Sequence, residues 1–191
     1  MMVDDEGRGP LVLIDTAAWR SWLDENESTS DGVQLVLAKK GVTRPTSLSY
    51  AAALDEALCS GWIDGRRNAR DGETFLQLFT PRRARSIWSQ RNVEIVNRLI
   101  GEGRMRDRGR VEIDRARSDG RWDRAYAGQA AAQVPDDLAA ALAASPVAAA
   151  RLAALGSAER YSVLHPILTA SSPATRTVRI ARAVARLADG G

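Results

Sequence analysis

The sequence predicts an α+β fold, with a small, mostly antiparallel sheet packed by helices and a C-terminal all-helical subdomain. Three observations predict it. Two β-prone runs flank Asp71-Gly72, a strong hairpin-turn signal. Apolar residues recur at helical spacing behind capping residues on either side of that hairpin. From Val134 onward the pattern is helical throughout, with Pro135, Pro146 and Pro173 where helical first turns tolerate proline.

A chain of 191 residues suits one domain with a modest appended subdomain. The expected division is a disordered lead-in at 1–10, an α+β domain at 11–127 and a helical subdomain at 134–191. Residues 128–133, low in complexity, form the linker. A hydrophobic fraction of 45% with 27% charged residues is ordinary for a soluble protein. One cysteine and one histidine exclude a disulfide framework and a zinc site of ordinary ligand spacing. The acidic N-terminus has no apolar core of a secretory signal, and no apolar run nears the ~18 residues of a membrane span. A cytoplasmic location is expected.

Charge is uneven along the chain. Residues 1–81 carry a net −5 and residues 82–191 a net +8, within the total of +3. A basic second half suits nucleic acid, anionic lipid or an acidic ligand, although an arginine- and alanine-rich composition is also a mark of biased codon usage.

Taken in order, residues 11–14 read as a short strand, and Asp15 caps a helix carrying Trp19, Trp22, Leu23 and Asn26 on one face. The run at 32–39 alternates as a strand. Ser49 caps a helix with Tyr50, Leu54, Ala57 and Leu58 inward, stopped by Gly61. Cys59 lies in that apolar pattern and reads as a buried, inert thiol. Strands at 61–68 and 73–80 form the hairpin. If its turn is centred on Asp71-Gly72, Asp64 opposes Phe79, Arg66 opposes Gln77 and Asn68 opposes Phe75. The period of two then puts Trp62, Asp64, Arg66, Asn68, Phe75, Gln77 and Phe79 on one polar-aromatic face. Ile63, Gly65, Arg67, Leu76, Leu78 and Thr80 take the other, which reads as ordinary core. A one-residue slip would exchange these assignments.

Past Pro81, Ser89 precedes a helix with Val93, Val96 and Ile100 inward. Residues 107–118 form a highly charged helix with Val111, Ile113 and Ala116 as its apolar contacts, and Trp122 and Tyr126 pin the turn beyond Gly120. In the C-terminal part, Ser145, Ser157 and Ser172 are candidate caps. One helix aligns Tyr161, Leu164, His165 and Leu168 and bends at Pro166. The last helix directs Val178, Ala181, Val184 and Leu187 inward, with Arg176, Arg179, Arg182 and Arg186 in one stripe.

The candidate ligand site is the polar-aromatic hairpin face with the basic turn after it: Trp62, Asp64, Arg66, Gln77, Phe79, Arg82, Arg83 and Trp88. Asp64 can accept a hydrogen bond or a proton, the arginines can fork onto a carboxylate or phosphate, and Trp62, Phe79 and Trp88 can wall a pocket. The structural alternative is an internal Asp64–Arg66 or Asp64–Arg82 ion pair. His165 and Tyr161, one turn apart, can share a proton relay or simply pack. No P-loop, nucleophile elbow or dinucleotide-binding glycine run is present.

Several segments together resemble the YdeI/OmpD-associated, or bacteriocin-protection, family. They are LSYAAALDEALCSGWIDGRR (48–67), FTPRRARSIWSQRN (79–92), LIGEGRM (99–105), DGRWDRAY (119–126), VPDDLAAAL (134–142) and RYSVLHPILTASSPATRTVRIAR (160–182). The resemblance implies a role in stress or antimicrobial-peptide tolerance without implying a catalytic mechanism. Ala52 stands where the family carries an acidic residue, and His165-Pro166 replaces an aromatic or aliphatic residue followed by a basic one. The expected function is therefore a non-catalytic, cytoplasmic binding protein, with no cofactor or metal, holding a small molecule or peptide at the hairpin. Two alternatives remain: an enzyme on a small acidic or amide substrate with Asp64 as acid/base, and nucleic-acid binding through 82–124 and the last helix.

Overall fold

The computed structural model describes residues 9–190, so most of the expected lead-in at 1–10 lies outside them. The element order is α1 (Thr16–Asn26), β1 (Val33–Ala38), α2 (Tyr50–Cys59), β2 (Trp62–Ala69), β3 (Thr74–Pro81), α3 (Gln90–Gly101), α4 (Asp107–Ser118), α5 (Asp136–Ala143), α6 (Pro146–Ala154), α7 (Ser157–Leu168) and α8 (Pro173–Asp189). This is an α+β fold. Two compact units divide it: residues 9–86 with 92–123, and residues 87–91 with 124–190.

In the first unit, a three-stranded antiparallel sheet has the order β1-β3-β2. The strand expected at 11–14 is a single bridge, Leu11 against Leu35 on the outer edge of β1. Only three residues separate it from the Asp15 cap, too few to extend the pairing. Asp15 caps α1 by accepting from the Ala18 N–H (2.9 Å), and Ser49 caps α2 through Ala52 (3.3 Å). Leu35, Val36, Leu37 and Ala38 are all buried, so the edge strand β1 is covered on both faces over this stretch.

Helix faces follow packing more than composition. On α3, Val96 and Leu99 are buried and Ile100 only partly, which corrects the expected Ile100. Asn92 takes the remaining inward position. On α4, Ile113 and Ala116 are buried but Val111 is exposed, because Gly109 lies on the contact face instead. A Cβ on Gly109 would sit 2.3 Å from the Cys59 carbonyl oxygen, so only glycine allows α4 this close to the end of α2.

The second unit is helical. Leu138, Leu142, Ala148, Leu152, Val163, Leu164, Ile167, Ile180, Ala183 and Leu187 form its core. On α8 the inward face is Ile180, Ala183 and Leu187, with Val184 beside it. Val178 and Ala181 are exposed, correcting the expected stripe. This rotation turns Arg176 and Arg179 onto the last carbonyls of α7: Arg176 donates to Ile167 (2.9 Å) and Arg179 to Pro166. Ser172 caps α8, as expected, by accepting from Thr175 (3.1 Å). Gly156, not Ser157, is the N-cap of α7, and Ser145 makes no side-chain capping bond.

Candidate hairpin site and buried charge network

The hairpin register holds at its base and shifts towards its tip. Trp62 pairs with Pro81, Ile63 with Thr80 and Asp64 with Phe79, but beyond that Arg67 pairs with Gln77 and Ala69 with Phe75. A β-bulge at Gly65 and Arg66 makes the difference. At the tip, Asp71 closes a loop longer than a two-residue turn. Its carboxylate accepts from the N–H groups of Glu73 (2.9 Å) and Thr74 (2.6 Å) and from the Thr74 hydroxyl (2.8 Å). These bonds hold the carboxyl of exposed Asp71 below its ordinary range, the Thr74 hydroxyl contributing most.

The bulge reassigns a key side chain. Arg67, not Arg66, opposes Gln77 and shares the face of Asp64. Because Phe79 and Gln77 are two apart on β3, Asp64 and Arg67 become same-face neighbours on β2. The Arg67 guanidinium stacks 3.9 Å over the Phe75 ring. Arg66 instead turns to Asn68 (2.8 Å), and Asp64 accepts from the Tyr50 hydroxyl (2.8 Å). Asp64 is half-buried, while Arg66 and Arg67 are exposed.

The polar-aromatic face is the core-facing one, the reverse of the expected division. Trp62 and Phe79 are 0% exposed, and Gln77 and Phe75 are also buried. Trp19 stacks on Trp22 (5.2 Å) and meets Phe79 (5.6 Å), while Trp62 is edge-on to Trp22 (5.8 Å) and Trp19 (6.5 Å). Each indole buried in this cluster has a polar partner: Trp19 donates to the Ala53 carbonyl (3.1 Å) and Trp62 to that of Glu27 (3.3 Å). Gln77 donates to the Gly65 carbonyl (2.8 Å), satisfying the bulge from the inside. The opposite face, with Ile63, Leu76, Leu78 and Thr80, is only half-covered. Rings large enough to fill the space between sheet and helices took the inner face despite their polar neighbours.

Of the other site candidates, Arg82 is buried and its N–H bonds the Gly61 carbonyl (2.9 Å). Arg83 is exposed, its N–H received by the Ser86 hydroxyl (2.9 Å). Trp88 is buried in a segment of the second unit, whereas the other seven residues belong to the first.

A second constellation was missing from the sequence-based expectation. Glu56, 5% exposed, takes Arg104 on one carboxylate oxygen (2.7 Å) and Arg106 on the other (3.3 Å). Arg106 also reaches Asp24 (3.1 Å) and the Ser60 hydroxyl. Asp55 binds Arg98 (2.7 Å), and Glu102 binds Arg98 (2.9 Å) and Arg104 (3.0 Å). Although burial opposes its charge, Arg104 is held above its ordinary range by its bonds to Glu56 and Glu102. Every acid here is matched by arginine, so the network fastens α2 to the α3–α4 turn. The available signal was Asp55-Glu56 at the close of an apolar helix face, with the arginine-rich 98–106 downstream. Next to it, Cys59 is buried, and burial followed by the charge of Glu56 pushes its thiol to about 11. A buried thiol that stays protonated at neutral pH is a poor nucleophile, which agrees with its apolar context.

In the second unit, His165 lies against the rings of Tyr126 (5.1 Å) and Tyr161 (5.4 Å). The Tyr161 hydroxyl donates to the Ala127 carbonyl (3.3 Å). Burial, with Tyr126 nearby, raises its titration above the ordinary value, so the phenol stays a donor. This arrangement packs the histidine and spends the tyrosine proton on backbone. Two cavities open in the same unit. One of about 640 Å³ is lined in part by Asp136, Asp137, Gln133 and Arg176, and one of about 370 Å³ by Gln129, Ser157, Arg160 and Tyr161. None of the eight expected site residues lines either.

Among the described residues, no group of three or more His, Cys, Asp or Glu side chains could hold a metal ion, and no helix is long and apolar enough to cross a membrane. No curated protein and no solved structure matches the chain. Two family models do match. Residues 131–190 match the one described as Bacteriocin-protection, YdeI or OmpD-Associated, and residues 11–112 match a different one. The resemblance expected over nearly the whole chain is thus matched in its C-terminal third, while the hairpin motifs fall in the other model. That second model spans more than half the sequence, so the chain belongs to the family described as Domain of unknown function (DUF8412) and carries a YdeI/OmpD-associated domain behind it.

Proposed function

We propose that this is a non-catalytic binding protein of stress or antimicrobial-peptide tolerance, acting in the cytoplasm and holding its ligand at the hairpin. One observation carries the reading. The bulge sets a half-buried carboxylate, Asp64, beside an exposed guanidinium, Arg67, on one strand face. Such a pair suits a ligand bearing both charges, such as a peptide or an amino-acid-like molecule. Tyr50 takes one carboxylate oxygen and orients the group, and a carboxylate has lone pairs on two. Trp62 and Phe79 serve as the rigid backing of this row rather than as an open wall, and preorganised backing lowers the cost of binding. Arg66 and Arg83 remain exposed at its margins.

Nucleic-acid binding is less well supported. Arg98, Arg104, Arg106, Arg115 and Arg121 of the basic region sit on acidic partners, and on α8 Arg176 sits on Asp137. Phosphate binding would have to displace them. A thermal-shift series with short peptides, antibiotics and anionic metabolites tests the binding proposal. A shift lost in both Asp64→Asn and Arg67→Gln, and kept in Arg66→Gln, is expected. A ligand whose binding ignores all three substitutions removes the hairpin as its site.

A further inference from the structure

The two cavities of the second unit each contain an arginine, and the two arginines differ in one respect. Arg176 is answered by Asp137, whose carboxylate takes both its Nε (2.5 Å) and an Nη (2.9 Å). Arg160 lines the smaller cavity with Gln129, Ser157, Tyr161 and the apolar Leu155 and Leu164. No acid is among the residues lining that cavity, and the buried Arg160 Nε has no hydrogen-bond partner among the described residues. A buried guanidinium donor left unmatched costs free energy, and a carboxylate is its natural complement.

The surroundings agree in sign. Ser157, Arg160 and Tyr161 all belong to the first turns of α7, so the positive end of that helix adds to the guanidinium charge. Glu159, the acid of the same turn, is exposed and spends an oxygen on the Gly156 N–H (3.2 Å). Gln129 donates to the Ser157 hydroxyl (3.2 Å), placing an amide and a hydroxyl on one side of the cavity. Leu155 and Leu164 give it an apolar side. At about 370 Å³ the space falls at the lower end of the ~300–1,000 Å³ of small-ligand pockets.

We infer that this cavity is a second binding site, taking the carboxylate of a small apolar acid or of a peptide C-terminus on Arg160. The carboxylate meets the guanidinium and the Gln129–Ser157 pair, and a short aliphatic group lies against Leu155 and Leu164. The inference is independent of the hairpin proposal.

The test is a ¹H–¹⁵N NMR titration of the full chain, following backbone amides and the Arg160 Nε–H. Three probes are used: butyrate, the peptide acetyl-Gly-Ala-Leu as free acid, and the same peptide as its C-terminal amide. Saturable shifts at Gln129, Ser157, Arg160 and Tyr161 are expected with a free acid and not with the amide. Binding of both acids assigns the site to carboxylates in general; binding of the peptide acid alone assigns it to a chain terminus. Arg160→Gln should weaken binding roughly tenfold or more, the loss of a charged hydrogen-bond partner, and Arg160→Lys by less. Asp64→Asn should leave these shifts unchanged, which separates this site from the hairpin. Equal binding of acid and amide, no binding of either acid, or undiminished affinity in Arg160→Gln overturns the inference. Should Arg160→Gln fail to fold, the acid–amide comparison on the natural chain still decides it.

Discussion

The two units solve the same problem with opposite materials. The first fills its interior with Trp19, Trp62 and Phe79 and buries Glu56 among arginines. In the second, helices α5 to α8 share a core of aliphatic side chains and keep an ion pair, Asp137–Arg176, near the surface. Large rings leave fewer ways to fill a space, and a buried charge fixes its partners. Small aliphatic helices can rotate by part of a turn and still close a core. The difference teaches where the chain tolerates change: little around α2, much more along α5 to α8.

Four measurements break or sharpen that contrast. The largest effect is expected from Glu56→Ala, which removes the most buried acid of the network and leaves Arg104 to Glu102 and Arg106 to Asp24. Urea unfolding should show a loss of about 3–5 kcal/mol, from two charge-assisted bonds of ~1.5–3 kcal/mol each. Arg176→Ala, at the half-exposed pair, should cost no more than about 1 kcal/mol. Similar losses at both sites would erase the distinction.

Next comes alkaline pH. Burial raises the Cys59 thiol to about 11 in the folded chain. Its contribution is fully present below the unfolded value near 9 and is lost as pH rises through about 11, on the order of 2–3 kcal/mol in all. Stability followed by urea melts across that window should fall in the natural chain and stay flatter in Cys59→Ala. At pH 8, thiol reagents should label Cys59 only as fast as the first unit unfolds.

Gly109→Ala follows, because the added Cβ would meet the Cys59 carbonyl at 2.3 Å. Overpacking at a helix crossing costs typically about 1–3 kcal/mol. The same substitution at Gly128, where nothing lies within 4 Å, should be neutral in the same denaturation assay. The smallest effect concerns Asp137. Arg176 lowers its titration, so the pair contributes above the unfolded carboxylate value near 3.9 and the contribution disappears as pH falls through the folded one. Asp137→Asn should flatten acid unfolding only below about pH 4, and by less than about 1 kcal/mol.

Local signals made the elements legible. Asp15, Ser49 and Ser172 cap where their side chains predict, and α4 runs over the very residues whose charge pattern marked it. The hairpin was legible as a hairpin, and its base register too. Its tip was not, because Asp71 builds a wider loop with side-chain bonds that the Asp-Gly pair does not specify. Gly65 inside a strand was the available warning of a bulge. The direction of each sheet face was not legible either, since it depends on how Trp19 and Trp22 meet Trp62 across the sequence. The Glu56 network shares that difficulty: its arginines come about fifty residues later.

The bulge also has a use in engineering. Below it, Trp62, Asp64 and their partners on β3 are clamped by the aromatic cluster; above it, the strands follow a separate alignment. The change of alignment falls on β2 alone, because β3 keeps one register with β1 from Thr74 to Phe79. A foreign loop between Ala69 and Thr74 can therefore be taken up by β2 at the bulge without turning the base over, which makes the tip a natural insertion point for a reporter or an epitope.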